Sequence, residues 1–252
     1  MNVLLTAGPV EIGLLILVAL VAGTIGGVVG FGSGVLLLPI IAWVFGPMAA
    51  VPILTVASLI GNVSRAGLYW REIDWRVVAF YCAGAVPAAT LGALVFVRLE
   101  TQVIPLVFGA FVVLVVPARR WAAKHELRVR LGHFPVVGAS LGFLSAIVST
   151  TGPINAPFFL SFGLTRGAYL ATEAISTTAV HATKSIVYGK FSALNSETAL
   201  IGLCIGSLLL AGSVLGKRIV ERVDAGRFVL IVELALVVSG VVMLGQGLFA
   251  RR

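Results

Sequence analysis

Apolar stretches follow one another along this chain with only short polar connections, at about 10–29, 33–46, 48–69, 75–97 and 102–118, and again at about 133–149, 153–163, 166–189, 197–217 and 228–249. A helix that crosses a bilayer needs about 20 apolar residues, and most of these stretches approach or reach that length. What lies between them excludes a soluble fold. Of the 252 residues 11% are charged, against roughly 25% in ordinary globular domains, too little to cover a water-facing surface. Helices satisfy their own backbone polar groups inside lipid. The expected fold is therefore all-α and polytopic, with eight to ten membrane segments.

The formal net charge of +8 is concentrated in connections, notably "RRWAAKHELRVR" (119–130) and "GKRIVERVDAGR" (216–227). Basic connections are what the positive-inside rule places on the cytoplasmic face, so this charge is read as topology and not as a nucleic-acid partner. The start "MNVLLTAGPVEIG" has no Lys or Arg ahead of its apolar run, and is read as the first membrane segment rather than a cleavable signal. Cys82 and Cys204 each sit in an apolar run, where they fit neither a disulfide framework nor a metal motif.

The order of segments is five, a loop, and five. It predicts a first transmembrane repeat at 1–118, a basic connecting loop at 119–131 and a second repeat at 132–252. Sliding the chain by 119 positions lays Asn62 on His181, Arg65 on Lys184, Tyr69 on Tyr188 and Ser58 on Thr177. Such a match is the trace of a duplicated transporter fold. The second segment of each half is short: fourteen helical residues span roughly 21 Å, less than a hydrocarbon core of about 30 Å. Each is expected to be a broken or half-helix. If both cross, there are ten spans and the halves are inverted; if both re-enter, there are eight and the halves are parallel.

A breaker introduces each short segment, "GGVVGFGSG" (26–34) in the first half and "STTGPINAP" (149–157) in the second. Glycines 30, 32 and 34 open backbone angles other residues avoid, while Pro153 and Pro157 each remove a backbone donor. A helix broken inside a bilayer is tolerated only where the gap lines protein or a watery cavity. Here the breaks carry hydroxyls and an amide: Ser33 in one, Ser149, Thr150, Thr151 and Asn155 in the other. A half-helix beginning at such a gap aims its positive end and first N–H groups into it, which makes an anion site. The competing reading is close helix packing by small residues. A phosphate loop is not supported, since no Gly-Lys-Ser/Thr follows "GFGSG".

"TEAISTTAVHATK" (172–184) adds polar residues to an otherwise apolar run. On a helix Glu173, Thr177, His181 and Lys184 fall within an arc of about 80°. Ser58, Asn62 and Arg65 repeat the spacing in the first half. Charge at the centre of a membrane helix costs about 2.5–3.5 kcal/mol on insertion scales, which a wet cavity relieves. Arg65 and Lys184 are read either as cavity residues or as end-of-helix residues that snorkel to the interface. Glu173 is either a proton carrier or a carboxylate complementing a helix start. His181 is either a relay or a satisfied interior histidine. Glu173 and Lys184 lie eleven residues apart, about 16 Å along a helix, so each needs a different partner. The expected substrate-binding set is Gly32, Ser33, Gly34, Ser58, Asn62, Arg65, Thr150, Thr151, Gly152, Asn155, Thr177, His181 and Lys184, with Glu173 and His181 as proton-coupling residues. No metal site and no cofactor are expected, because no second His or Cys lies at ligand spacing.

The first break "GGVVGFGSGVLLLP", the second "TTGPINAPFFLSFGLTRGAYLATEA" and its continuation "STTAVHATKSIVYG" resemble the two signature halves of the TauE/SafE sulfite-exporter family, and the resemblance covers nearly the whole chain. In the second break the family's glycine run is reduced to Gly152 and Pro153 behind two threonines. The resemblance implies a multi-pass secondary transporter of the inner (plasma) membrane, an exporter of small anions such as sulfite, thiosulfate, organosulfonates or carboxylates. The partners it implies are a small anion and the lipid bilayer, with a homodimer as one option. A channel or proton/cation carrier centred on Glu173 and His181 is the alternative. An enzyme is not expected, since no His-Glu-x-x-His occurs and "GASLG" (138–142) lies inside an apolar run and not in the strand-to-helix turn of a nucleophile arrangement.

Overall fold

The computed structural model describes residues 8–100, 129–164 and 166–219, with scattered positions from 103 to 117. The expected segment at 228–249 and most of the loop at 119–131 lie outside the described residues. The longer helices are α1 (Pro9–Val29), α2 (Ser33–Phe45), α3 (Pro47–Leu68), α4 (Trp75–Phe96), α5 (Phe134–Val148), α6 (Gly152–Ser161), α7 (Arg166–Lys190) and α8 (Ser196–Ile219). No strand occurs among the described residues. The chain is all-α, and α1, α3, α4, α5 with its preceding turn, and α8 are each long and apolar enough to cross a membrane. Helix α7 runs for 25 residues, but its hydroxyls and charges keep it out of that group.

Helices end where local chemistry ends them. Gly30 takes a left-handed φ of 86° and returns its N–H to Gly26 at the end of α1, a conformation that suits glycine. Asp74 starts α4 by accepting from the N–H groups of Arg76 and Val77. The two short helices have 13 and 10 residues, hence about 20 Å and about 15 Å of length.

Polarity is inverted relative to a soluble protein. Leu17, Leu91 and Leu200 are exposed, whereas Asn155, Glu173 and Lys184 are buried. Lipid accepts the first set, and the interior must satisfy the second. Helices α3 and α7 lie against each other at the centre, α8 packs on α3 and α4 on α7. Two further long contacts, α1 with α8 and α4 with α5, flank them.

Those two flanking seams are built on glycine. A Cβ at Gly23 would stand 2.6 Å from the Leu209 carbonyl oxygen, and one at Gly212 would stand 2.5 Å from that of Leu20. In the other seam a Cβ at Gly84 would stand 1.9 Å from the Pro135 carbonyl oxygen, and one at Gly138 would stand 2.2 Å from that of Tyr81. Backbones this close gain dispersion contacts that lipid cannot replace. Gly84→Ala is accordingly expected to lower stability by about 1–3 kcal/mol, read as earlier thermal unfolding in detergent, because backbone and not a flexible side chain must yield.

Helix boundaries recur at one offset. Helices α2 and α6 begin at Ser33 and Gly152, α3 and α7 at Pro47 and Arg166, and α1 and α5 end at Val29 and Val148. Each pair is 119 positions apart. The flanking contacts follow the same exchange, which turns α1 with α8 into α5 with α4.

Candidate functional site

The two breaks touch. A Cβ at Gly34 would lie 2.9 Å from the Thr150 side chain, and one at Gly152 would lie 2.8 Å from the Phe31 Cβ. Each break opens with a left-handed residue, Gly30 at φ 86° and Ser149 at φ 65°. Serine is uncommon there, and its hydroxyl lies 3.4 Å from Thr55 Oγ1 and 3.5 Å from the Val51 carbonyl oxygen that accepts from it. The short helices then start at Ser33 and Gly152, and the residues that precede them, Gly32 and Thr151, make no side-chain cap bond. Both starts border a cavity with about 40 Å³ open to the centres of water molecules. One water needs roughly 10–15 Å³, so the space matches a few waters or one small oxyanion.

The cavity gathers most of the side chains expected from the sequence. Gly32, Ser33 and Gly34 line it from the first break, Thr150, Thr151 and Gly152 from the second. Helix α3 contributes Ser58, Asn62 and Arg65, and α7 contributes Glu173, Thr177 and His181. A smaller adjoining space behind Ser33, Asn62 and Arg65 runs between α1 and α8 to Gly23 and Ser213.

Arg65 is the hub. Buried in the bundle rather than snorkelling to an interface, it donates through Nη1 to the Gly30 carbonyl and through Nη2 to Asn62 Oδ1. Nη2 also lies 3.2 Å from Glu173 Oε2, an ion pair between the two halves of the chain. Glu173 therefore has a cation on another helix, deep within α7, and does not serve as a carboxylate at a helix start. Asn155 Nδ2 reaches Glu173 Oε1 at 3.5 Å, and the Tyr81 hydroxyl donates to Asn155 Oδ1 at 3.1 Å. Asn62 Nδ2 donates to Thr177 Oγ1 at 2.9 Å, and that hydroxyl donates back to the Glu173 backbone carbonyl at 2.8 Å.

Asn155 and Lys184 stand outside the cavity lining. Asn155 is fully buried behind Glu173. The Lys184 ammonium donates to the Ser145 carbonyl at 3.0 Å, the Ser145 hydroxyl at 3.1 Å and the Ser149 carbonyl at 3.3 Å. It thus neutralises the negative end of α5, and the Tyr188 hydroxyl donates to the Ala146 carbonyl one turn along. Arg65 holds the Gly30 carbonyl, at the end of α1, in the same way. Two cations 119 positions apart cap the two helices that precede the breaks. They differ in that Arg65 also lines the cavity and faces Glu173.

His181 lines the cavity, and its buried Nδ1 has no hydrogen-bond partner among the described residues. Three contributors were not named from the sequence. Ser145 and Phe31 line the cavity, and Tyr81 fixes the amide of Asn155. The signal for Ser145 was a hydroxyl one helical turn before the break. A lone tyrosine in an apolar helix gave none beyond the rule that a buried phenol finds a partner.

Two half-helices that start against each other around a polar cavity, in a bundle with its apolar side chains turned outward, have the build of a membrane transport protein. The profile of the sulfite exporter TauE/SafE family matches residues 15–243, and the chain belongs to that family. No curated protein and no solved structure matches it. Membership makes the chain a multi-pass membrane transporter of the sulfite and anion exporter type, with a small anion as substrate and the lipid bilayer as its surroundings.

Proposed function

We propose that this protein is a secondary exporter of small oxyanions in the inner (plasma) membrane, with sulfite, thiosulfate, organosulfonates and carboxylates as the substrate class. In this reading the cavity between the breaks is the binding site. The observation that carries it is the Arg65 guanidinium on a cavity wall that, apart from the Glu173 carboxylate paired with it, is made of neutral groups. Ser33, Ser58, Asn62, Thr150, Thr151 and Thr177 replace the water shell of the anion, and His181 Nδ1 supplies a further polar atom. Gly32, Gly34 and Gly152 let backbone N–H groups come close. The guanidinium of Arg65, which stays charged, and the neutral donors around it favour an anion over a cation. A cation carrier centred on Glu173 and His181 is for that reason the weaker reading.

Asn155 and Lys184 are proposed as supports, one orienting Glu173 and the other holding the end of α5. Glu173 and His181 are the groups assigned to proton coupling. We also read the chain as two duplicated halves, 1–118 and 132–252, a division that the recurring helix boundaries support. The test is purified protein in liposomes, given an anion gradient or a pH gradient with sulfite, thiosulfate, methanesulfonate and acetate. Saturable movement of sulfite is expected. Movement of none of the four under either gradient rejects the reading.

A further inference from the structure

The cavity already contains a carboxylate, and it sits on the cation that a substrate anion would need. We propose that Glu173 is a tethered stand-in for the substrate: an incoming oxyanion takes its place on Arg65 as Glu173 takes up a proton, so that one anion and one proton bind together. This rests on the reading of the cavity as the anion site and adds to it how that site is regulated.

The donors of Arg65 are largely committed. Nη1 serves the Gly30 carbonyl, and Nη2 is shared between Asn62 Oδ1 and Glu173 Oε2. Of these acceptors Glu173 is the anionic one, at 3.2 Å, the distance at which a sulfonate or sulfite oxygen would bind. Two anions side by side on one guanidinium repel each other strongly in a buried site. The carboxylate must leave or lose its charge for the substrate to stay. Glu173 has a second support, since Asn155 Nδ2 lies 3.5 Å from Oε1 and Tyr81 fixes the orientation of that amide. Displaced from Arg65, the side chain keeps a partner.

The other charged and titratable groups around α7 are placed less well to take the proton. From α4, Tyr81 reaches Glu173 through Asn155, and the Cys82 thiol points to the Ser176 carbonyl. On α7 itself His181 lies eight residues along, about 12 Å, and Lys184 eleven residues along, about 16 Å. Glu72 lies against Gly167 in the first turn of α7, and the Asp74 backbone bonds Thr172. The proton that neutralises the competing anion is therefore taken by that anion. The step makes and breaks no covalent bond apart from protonation of the carboxylate.

Reciprocal linkage states the consequence: if anion binding brings in one proton, affinity rises by up to about tenfold for each unit fall in pH. Methanesulfonate is the suitable probe, since its own charge is constant from pH 5 to 8. Titration calorimetry on the full chain in nanodiscs, in two buffers of different ionisation heat, counts protons taken up per anion bound. The wild type is expected to take up about one proton at pH 7.5. Glu173→Gln should take up none, bind about tenfold or more tightly at that pH, and show an affinity flat with pH. Wild-type binding that requires Arg65 but takes up no proton overturns the competition while leaving the anion site standing, and so does a Glu173→Gln protein that binds no tighter. Binding that is equal in wild type and Arg65→Ala, or absent with sulfite, thiosulfate and methanesulfonate alike, overturns the site and this proposal together. Should Glu173→Gln not fold, His181→Gln decides: uptake of about one proton per anion is expected to persist in it, and its loss overturns the assignment to Glu173.

Discussion

Arg65→Ala is expected to reduce sulfite counterflow to less than about one hundredth of wild type and to cost about 3–5 kcal/mol of stability, the loss expected when one partner of a buried ion pair is removed. Three acceptors lose their donor at once: the Gly30 carbonyl at the end of α1, Asn62 Oδ1, and Glu173 Oε2. The last is the costliest, because a buried carboxylate is left without its cation. Arg65→Lys separates the two effects. Lys184, at the corresponding place in the other half, caps the end of α5 with an ammonium group, so a lysine at 65 is expected to cap α1 in the same manner and recover about half of the lost stability or more. It cannot reproduce the planar fork that serves Asn62 and Glu173 together, and transport should stay below about a tenth of wild type. Thermal unfolding in detergent and counterflow in liposomes read the two quantities independently. Transport by Arg65→Ala above about a tenth of wild type would remove Arg65 from the substrate path.

This expectation rests on a contact that local sequence patterns do not encode. The helix boundaries were legible because Gly, Pro and hydroxyl residues punctuate apolar runs: the expected segments at 33–46 and 166–189 became α2 at Ser33–Phe45 and α7 at Arg166–Lys190. The polar face of α7 was legible from its 3.6-residue period. Pairing between Arg65 and Glu173 spans 108 positions, and no spacing rule names one partner from the other. Nor did the slide of the chain on itself separate the two cations, since Arg65 and Lys184 occupy equivalent places and perform the same cap. Their difference arises because Glu173 lies beside Arg65, whereas Lys184 is enclosed by the carbonyls and hydroxyl of α5. Asn155 was identified as polar and near the break, but whether its amide faced the gap or the helix behind it depended on Tyr81, a residue with no motif around it. The general lesson is physical: periodicity reports which face of a helix is polar, while tertiary packing decides which of two polar faces holds the water.

The spacing between the breaks sets a second large effect. Gly34 is the second residue of α2, and a Cβ there would stand 2.9 Å from both Cβ and Oγ1 of Thr150, closer than side-chain atoms approach without displacement. Gly34→Ala is expected to push the start of α2 away from the second break and to lower sulfite counterflow at least about tenfold, with a stability loss of about 1–3 kcal/mol. If spacing is the cause, removing the opposing side chain relieves it. Gly34→Ala with Thr150→Gly vacates the space on the other side, and the pair should recover counterflow to within about threefold of Thr150→Gly alone. Residues in contact show such non-additivity, and distant ones do not. The helix itself gains from alanine over glycine by roughly 0.5–1 kcal/mol, so a loss of stability in the single substitution has to come from contact across the gap. A neutral Gly34→Ala would mean that the breaks have room to part and that the cavity is not held closed by their touching. A double substitution as impaired as Gly34→Ala would assign the effect to α2 alone. The recovery, if found, ties the two breaks to one another and makes their separation the distance on which the size of the bound anion depends.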